Sequence, residues 1–255
     1  MTESDHPYDE WYYRTGCGPV EYARAEPWLS FFARVADRIV SDIGPRTVLD
    51  VGCAMGMLVE ALRDRGVDAF GIDVSEHAHA QIRDDVKEFC RVGSITDGLD
   101  RRYDLIVCIE TLEHLTSPEA ARAVEVIASS TDDLLFSSTS DDFREPTHVN
   151  VRTSGHWAEQ LGRHGMFRDV RFDASFVAPH AVRFRRTADP IHRIVAEYED
   201  ALARLTSEAN SLRTALVETR REVEGAAVHN EELRARLEER FVWTLVRRIR
   251  SLRRR

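Results

Sequence analysis

The sequence predicts a doubly wound α/β domain followed by a long α-helical coiled coil. As far as Pro190, strand-like and helix-like segments alternate, which is the order of a parallel sheet with helices on both faces. Runs such as Val48-Leu49 and Leu105-Ile106-Val107 are apolar at consecutive positions, as in strands buried on both faces. Beyond Pro190 the apolar residues recur at alternating steps of three and four, which is typical of a coiled coil.

Residues 1–46 are predicted to form an N-terminal cap segment and a helix. Pro27 suits the first turn of a helix, and the apolar residues from Leu29 to Ile43 fit one helical stripe. Gly44-Pro45 then ends the helix. The segment before Pro27 is polar but rich in aromatic side chains, which are Tyr8, Trp11, Tyr12, Tyr13 and Tyr22.

The α/β domain is predicted to cover residues 47–187. Strand-like runs are bounded by turn residues and separated by helical patterns, so each helix is expected to cross over between parallel strands. The strand-like runs are 47–51, 69–73, 89–92, 103–109, 133–137 and 167–172, and the clearest helix-like segments are 56–65, 118–129 and 154–164.

Residues 188–240 are predicted to form the coiled coil. The apolar repeat continues without proline, and its one glycine is Gly225. Asn230 falls at an a position, where a single buried polar residue can specify a two-stranded register. We therefore expect a homodimer through this segment, with the orientation of the two helices left open. The alternative is a lone solvated helix, which would leave the long apolar stripe exposed.

The charge is unevenly distributed along the 255 residues. The formal net charge is −9, and residues 241–255 hold six arginines and no acidic residue. Removing those six positive charges leaves −15 on the other 240 residues. This acidic body disfavours a nucleic-acid partner, because nucleic-acid-binding domains usually carry a basic face.

The cysteines and the hydropathy indicate the expected compartment. Cys17, Cys53, Cys90 and Cys108 form no CxxC pair, and a chain of this length needs no disulfide framework. The first residues lack the basic and apolar regions of a signal peptide, and no apolar run reaches the roughly 18 residues of a membrane span. We therefore expect a reduced, cytoplasmic protein.

A small-residue loop follows the first predicted strand. In the segment Asp50-Val-Gly52-Cys-Ala54-Met-Gly56, small residues would let the backbone approach a ligand at the usual crevice of an α/β sheet. A dinucleotide-binding fingerprint needs a third small residue one position later, where this chain has Met57. The spacing instead favours a nucleoside-binding loop.

The segment VLDVGCAMGMLVEAL resembles motif I of class I S-adenosylmethionine-dependent methyltransferases. The resemblance covers roughly residues 45–140 and implies a Rossmann-like, mostly parallel seven-stranded sheet that binds S-adenosylmethionine. It implies that Asp73, in GIDVS, binds the ribose hydroxyls and that Gly93-Ser94-Ile95 frames the adenine. Ala54 departs from the family pattern, because glycine is commoner there.

The same resemblance implies a set of cofactor-binding residues. The segment before the first strand often folds over the methionine end of the cofactor in this family, so Tyr13 and Arg14 are expected there; the alternative for both is surface packing. The full predicted set is Tyr13, Arg14, Asp50, Gly52, Ala54, Gly56, Asp73, Val74, Gly93, Ser94, Ile95 and Ile109.

Candidate metal ligands follow the fourth strand-like run. Glu110, Glu113 and His114 would share one helical face, and His148 follows the fifth strand at the same sheet edge. Two carboxylates and two imidazoles suit Mg²⁺ or Mn²⁺ better than a structural zinc site, which usually uses thiolates. This ExxEH pattern resembles the metal site of ubiquinone-biosynthesis O-methyltransferases and of small-RNA 3′-end 2′-O-methyltransferases. His114 and His148 are also the predicted catalytic residues.

Two alternatives to this metal site stay open. The histidine can act as a metal-free base, as in many methyltransferases, or it can be structural. Asp141 and Asp142 are interpreted as loop and cap residues rather than ligands.

The acceptor is expected to be a sugar hydroxyl of a bacterial polysaccharide or glycolipid. The stretch from Leu134 to Asp169 resembles methyltransferases encoded beside bacterial glycan assembly, which implies that Arg144, Asn150 and Arg152 bind the acceptor. The alternatives are a phenolic, quinone-like or nucleic-acid hydroxyl, or a non-catalytic scaffold of a glycan-assembly complex.

Residues 241–255 are predicted to form a basic amphipathic tail. As a helix, this segment would gather its apolar residues on one side and its arginines on the other, as in segments that bind anionic lipid at the inner face of a membrane. The alternatives are an acidic partner, such as a glycosyltransferase or the acidic body itself, and a plain solvated tail.

Overall fold

The computed structural model describes residues 7–18 and 20–252; in the last helix, side chains are described only as far as position 237 and at positions 240 and 242. The predicted basic tail therefore lies almost entirely outside the described side chains. The chain divides into two compact units, of which the first ends at Ile194 and the second begins at Val195.

Within the described residues, one sheet contains the strands β1 (Thr47–Val51), β2 (Asp68–Asp73), β3 (Cys90–Val92), β4 (Leu105–Ile109), β5 (Asp133–Ser137), β6 (Met166–Arg168) and β7 (Val182–Arg186). The strand order is β3-β2-β1-β4-β5-β7-β6. Strands β1 to β5 pair in parallel, whereas β7 is antiparallel to both β5 and β6. The predicted mostly parallel, seven-stranded α/β fold is confirmed.

Helices cover both faces of this sheet. Apart from short 3₁₀ turns, they are α1 (Glu10–Thr15), α2 (Trp28–Asp42), α3 (Met57–Arg63), α4 (Glu76–Ala80), α5 (Ser117–Ser130) and α6 (Ser154–Gly162), and α7 (Ile191–Leu252) begins at the end of the first unit. Side chains alternate between the two faces along β1, so Val48 packs with α2 and α3 while Leu49 packs with α5 and α6. Each face therefore has its own buried apolar layer.

The structure adds elements that the sequence pattern did not show. Strand β7 has the sequence VRFRR, in which Val182 and Phe184 are buried, Arg183 pairs with Asp133, and Arg185 and Arg186 are exposed. Because three of its five residues are arginines, this strand does not stand out as an apolar run in the sequence. The predicted strand 167–172 is shorter than expected and ends at Arg168, because Asp169 begins the connection to β7.

The sheet order places a crevice beside β1. Chain order reverses between β1 and β4, because β2 lies on one side of β1 and β4 on the other. Ligands of open α/β sheets bind outside the carboxyl ends of the strands at such a point. The segments after Val51, Asp73 and Ile109 therefore meet at this crevice.

The second unit consists of α7 from Val195 onward. The helix is continuous as far as Leu252, so its backbone runs from the predicted coiled coil into the predicted tail without a break. None of the helices in the described residues is long and apolar enough to cross a membrane.

Candidate active site

A cavity of about 410 Å³ opens at the carboxyl ends of β1, β2 and β4. Aromatic residues of the N-terminal segment cover part of it, and the loop after β5 contributes another part of the wall. The wall contains nine of the twelve residues predicted to bind the cofactor: Tyr13, Gly52, Ala54, Asp73, Val74, Gly93, Ser94, Ile95 and Ile109.

The loop after β1 needs small residues because the chain crosses itself closely there. The φ angle of Gly52 is +75°, and a Cβ atom at this position would lie 2.3 Å from Thr111 Oγ1. Thr111 is itself fixed, since its hydroxyl lies 3.1 Å from the Val51 carbonyl and 3.0 Å from the Ile109 carbonyl. Any side chain at position 52 would therefore disturb the junction between β1 and β4.

Ala54 also has a left-handed backbone, with a φ angle of +44°. This conformation costs an L-residue roughly 1–2 kcal/mol, which explains why glycine would be the easier choice. The Ala54 N–H donates to Asp73 Oδ2 at 2.8 Å, so the strained turn is held by the carboxylate at the end of β2.

Two buried carboxylates lie under and beside this loop. Asp73 also accepts the Ser75 N–H at 2.8 Å, and burial raises its pKa although backbone hydrogen bonds offset part of the effect. Asp50 is 5% exposed, and burial followed by the charge of Asp73 raises its pKa to about 8. Both carboxyl groups are therefore harder to ionise in the ligand-free protein, and a cationic ligand would stabilise their ionised forms.

Three predicted cofactor residues lie outside the cavity wall. Asp50 is behind the loop, and Gly56 packs against Ile82 as the N-cap of α3. Arg14 lines a second cavity of about 300 Å³ and lies 3.9 Å from Glu10 on the exposed side of α1.

The aromatic N-terminal segment forms one wall of the main cavity. Tyr12 and Tyr13 are buried, and the Tyr13 ring stacks on His77 with centroids 5.9 Å apart. The Ser75 hydroxyl donates to the Tyr8 carbonyl at 2.7 Å, which ties this segment to the end of β2. The Tyr8 ring meets His114 edge-on at 5.7 Å, so the aromatic wall reaches from the cofactor loop to the predicted catalytic residue.

A chain of hydrogen bonds orients His114. Its Nδ1 lies 2.9 Å from Thr147 Oγ1, and that hydroxyl donates to Glu145 Oε1 at 2.7 Å. Because a carboxylate can only accept, the Thr147 hydroxyl donates its hydrogen bond to Glu145. The same hydroxyl therefore accepts a hydrogen bond from the Nδ1–H of His114. Burial, together with the neighbouring His148, lowers the pKa of His114. The neutral ring therefore keeps a free lone pair on Nε2.

His148 is held in the same tautomer by a different partner. Its Nδ1 donates to the Asp142 carbonyl at 2.9 Å, since a carbonyl oxygen can only accept. In the neutral ring, the Nε2 lone pair then faces Glu145 Oε2 at 3.5 Å. Two acceptors that face each other so closely need a proton or a cation between them.

The structure brings together two of the four predicted metal ligands and adds a third. Among the described residues, the ligand atoms of His114, Glu145 and His148 lie within 4.8 Å of one another. Glu110 and Glu113 do not belong to this group, so their role as metal ligands stays a prediction. Both carboxylates have other contacts in the ligand-free protein.

Glu113 is fully buried beneath the cavity. Its Oε1 accepts the Thr139 N–H at 3.3 Å, and burial followed by the charge of Glu110 raises its pKa to about 8. Glu110 has a left-handed backbone with a φ angle of +45°, and its carboxylate lies 2.8 Å from His180 Nε2. Burial opposes ionisation of Glu110, but hydrogen bonds from Glu113, Ser137 and His180 outweigh it and lower the pKa. We therefore assign the charge of this pair to Glu110.

The predicted acceptor residues have mainly structural contacts. Asn150 is buried, where its Oδ1 accepts from Ser117 and from Arg152 Nε at 2.9 Å each. Arg144 is exposed. Asp142 caps the loop by accepting the Arg144 N–H at 3.1 Å, as expected of a loop residue, and also lines the cavity.

Sequence reasoning missed Glu145, Thr147 and His180. Glu145 and His148 are three residues apart, a spacing that could have identified the carboxylate as a partner of the histidine. Thr147 had no such signal, because its role depends on the contact with His114. His180 lies 70 residues after Glu110, and only the fold brings the two together.

Comparison with known proteins agrees with this geometry. A family model described as a methyltransferase domain matches residues 20–168. The ubiquinone biosynthesis O-methyltransferase of Methylococcus capsulatus is 33% identical over 95 residues, which are 32% of this chain and 38% of that protein. The enzyme of the same name from Neisseria meningitidis serogroup A is 32% identical over 123 residues, 44% of this chain and 51% of that protein. The chain thus matches about half or less of these relatives.

Solved structures share the fold at low identity. The magnesium protoporphyrin IX methyltransferase of Synechocystis, solved with bound SAH, is 19% identical with a TM-score of 0.50, covering 63% of this chain and 84% of that one. An amino pentose methyltransferase from Micromonospora echinaspora, solved with SAM, is 15% identical with a TM-score of 0.51, covering 64% of this chain and 93% of that one. Since the family model spans more than half of the sequence, the chain belongs to the methyltransferase domain family and has the fold of the class I S-adenosylmethionine-dependent methyltransferases.

Proposed function

We propose that this protein transfers the methyl group of S-adenosylmethionine to a hydroxyl oxygen. The main support is that one cavity is lined both by the loop around Gly52 with Asp73 and by the cluster of His114, Glu145 and His148. The first group has the composition of a nucleoside site, and the second has the lone pairs needed to bind and deprotonate a hydroxyl. A methyl donor and an acceptor would therefore meet in the same enclosed space.

The cofactor side of the cavity supplies binding and orientation. An ionised carboxylate has about four acceptor positions, so Asp73 can accept ribose hydroxyls in addition to its two backbone hydrogen bonds. Val74 and Ile95 present apolar surface beside it for a purine ring. The ionised carboxylate of Asp73 favours a sulfonium ligand over its neutral product.

The histidine side fits a divalent cation. His148 Nε2 and Glu145 Oε2 face each other without a proton in the neutral tautomer, and His114 Nε2 is also free. Two imidazoles and one carboxylate form a donor set for a divalent transition-metal ion such as Mn²⁺ rather than for Mg²⁺, which prefers oxygen ligands. When bound, such an ion lowers the pKa of a coordinated hydroxyl. Thr147 and the Asp142 carbonyl hold the two rings in the required tautomer.

The methyl transfer needs no reactant besides S-adenosylmethionine, the acceptor hydroxyl and a proton acceptor. The acceptor oxygen attacks the methyl carbon, the carbon–sulfur bond breaks, and sulfur leaves as a neutral thioether. With an ion held by all three ligand atoms, the hydroxyl proton would pass to water; without an ion, it passes to a lone pair of the His114, Glu145 and His148 cluster. If this cluster works without a metal, His114 Nε2 is the base, which is the alternative left open by the sequence.

We propose a sugar hydroxyl as the acceptor. Sugar hydroxyls are polar and weakly acidic, and the loop 141–150 that faces the cavity carries acidic and imidazole side chains. A phenolic or quinone-like acceptor is the second candidate, because the relatives named above act in ubiquinone biosynthesis and the aromatic rings of Tyr8 and Tyr12 border His114.

The test compares two acceptor classes with and without chelator. His148→Ala and EDTA should each lower the methylation of monosaccharides and their methyl glycosides by about a hundredfold or more. His164→Ala is the matched control, because this histidine is exposed and lies outside the cavity wall. Full activity in EDTA would contradict the metal, and turnover of catechols alone would favour the second candidate. A scaffold without activity would show no S-adenosylmethionine binding by calorimetry.

A further inference from the structure

Helix α7 carries an apolar stripe that the described residues of its own chain leave uncovered. The side chains of Leu202, Leu205, Leu212 and Leu216 are 58%, 63%, 65% and 69% exposed. With Ala209 between Leu205 and Leu212, these residues recur at alternating steps of three and four on a helix of 62 residues. An apolar stripe of this length is stable in water only against a partner helix with the same repeat.

We propose that α7 pairs with α7 of a second copy of this chain as a parallel, in-register, two-stranded coiled coil. This inference fixes the orientation that the sequence pattern left open, and it does not depend on the proposed activity. The a positions are Val195, Leu202, Ala209, Leu216, Val223, Asn230 and Leu237, and the d positions are Ile191, Tyr198, Leu205, Leu212, Thr219, Ala226 and Leu233.

Asn230 is the first argument for a parallel pair. In a parallel, in-register pair, a positions face a positions, so Asn230 meets the partner's Asn230 and the two amides can hydrogen-bond to each other. In an antiparallel pair, a positions face d positions, so Asn230 would lose its matching amide. With full overlap of residues 191–237, it would lie instead against the partner's Tyr198, whose single hydroxyl cannot replace the two donors and the acceptor of an amide.

The charges flanking the stripe are the second, independent argument. The central e positions hold Arg213 and Arg220, whereas the nearest charged g positions hold Glu208 and Glu222. Parallel helices bring g positions opposite e positions, which pairs Glu208 with the partner's Arg213 in both directions. Antiparallel helices bring e opposite e and g opposite g, which opposes arginine to arginine and glutamate to glutamate.

Covalent cross-linking of the full chain tests the orientation. Leu216→Cys occupies an a position, so under oxidised glutathione it should give a disulfide-linked dimer on a non-reducing gel. Arg221→Cys, at an outward f position of the same turn, is the matched control, and the parent chain controls for the native thiols. Absence of a cross-link at position 216, or a monomeric mass by light scattering at micromolar concentration, would overturn the proposal.

A charge exchange tests the register without touching the apolar stripe. Glu208→Arg should weaken the dimer by about tenfold, because two attractive contacts become repulsive. Adding Arg213→Glu should restore the affinity by reversing both partners. In an antiparallel pair the single change would relieve repulsion, so an unchanged or tighter dimer from Glu208→Arg would contradict the parallel register. Analytical ultracentrifugation gives the dissociation constants.

Discussion

Single residues set the narrowest tolerances of the cavity, and Gly52 is the clearest case. Its positive φ angle disfavours any side chain, and its close approach to Thr111 leaves no room for one. Gly66 has an almost identical φ angle of +78°, but a Cβ atom there would have nothing within 4 Å. Substitutions at these two positions therefore distinguish the effect of backbone strain, which both share, from the effect of a steric clash, which only Gly52 has.

We predict that Gly52→Ala weakens S-adenosylmethionine binding by at least about tenfold, because the loop must shift to relieve the clash with Thr111. Gly66→Ala should cost only the strain of a left-handed alanine, about 1 kcal/mol of stability, and leave binding unchanged. Calorimetric titration and thermal unfolding of both variants distinguish these effects. Equal binding losses in the two variants would contradict the steric explanation.

Asp50 gives the ligand-free protein a specific pH dependence. Its folded pKa of about 8 lies above the ordinary value, so the folded state holds a proton that the unfolded state has lost. The corresponding stability is fully present only below the ordinary aspartate pKa, and it is lost progressively as pH rises from there to about 8. We predict that Asp50→Asn gains stability relative to the parent chain as pH rises toward about 8, with no further gain above it, as measured by chemical unfolding. The exposed Asp84→Asn is the control, and a pH-independent difference for Asp50→Asn would argue against the assignment.

At the scale of elements, the sequence was most informative where the structural constraint is local. Gly52, Asp73 and their flanking strands follow from spacing along the chain, because a strand, a tight turn and a helix must succeed one another there. The contact between Glu145 and His114 depends instead on how the loop after β5 folds over the end of β4. Glu110 and Glu113 share the helical spacing of His114, but the 3₁₀ turn Leu112–His114 replaces the expected helix and buries Glu113.

The loop after β5 should act mainly by orienting imidazoles. We predict that Thr147→Val lowers kcat/KM by about ten- to a hundredfold, because His114 loses the acceptor for its Nδ1 proton while the side-chain volume is kept. Thr147→Ser retains the hydroxyl and should recover most of the activity. Steady-state kinetics alongside thermal unfolding provide the readout, and a Thr147→Ser variant as impaired as Thr147→Val would point to packing instead.

At the scale of the whole molecule, residues 1–240 carry a net negative charge and residues 241–255 a net positive charge. Of the six arginines after position 240, three lie within the helix α7, whose backbone continues through Leu252, and three come after it in the sequence. Each basic residue near an anionic membrane surface contributes about 1 kcal/mol of attraction. The sequence alone predicts this tail, since its side chains lie outside the described residues.

We predict that deleting residues 241–255 abolishes sedimentation with vesicles rich in anionic lipid and leaves methyl transfer to a soluble acceptor intact. The parent chain with zwitterionic vesicles is the control for apolar adsorption. Retention of the shortened chain on anionic vesicles would assign membrane binding elsewhere, and failure of the parent chain to bind would favour a protein partner or a solvated tail.

The continuous helix α7 has one more consequence. A molecule dimerised through it carries two copies of the cavity on one assembly. On a polymeric acceptor with repeating hydroxyls, engagement of the first cavity makes the second encounter intramolecular, at an effective concentration that reaches the millimolar range for short flexible tethers. The dimer would then bind a long polymer more tightly than a single repeat unit, although each cavity makes the same contacts with the sugar in both cases.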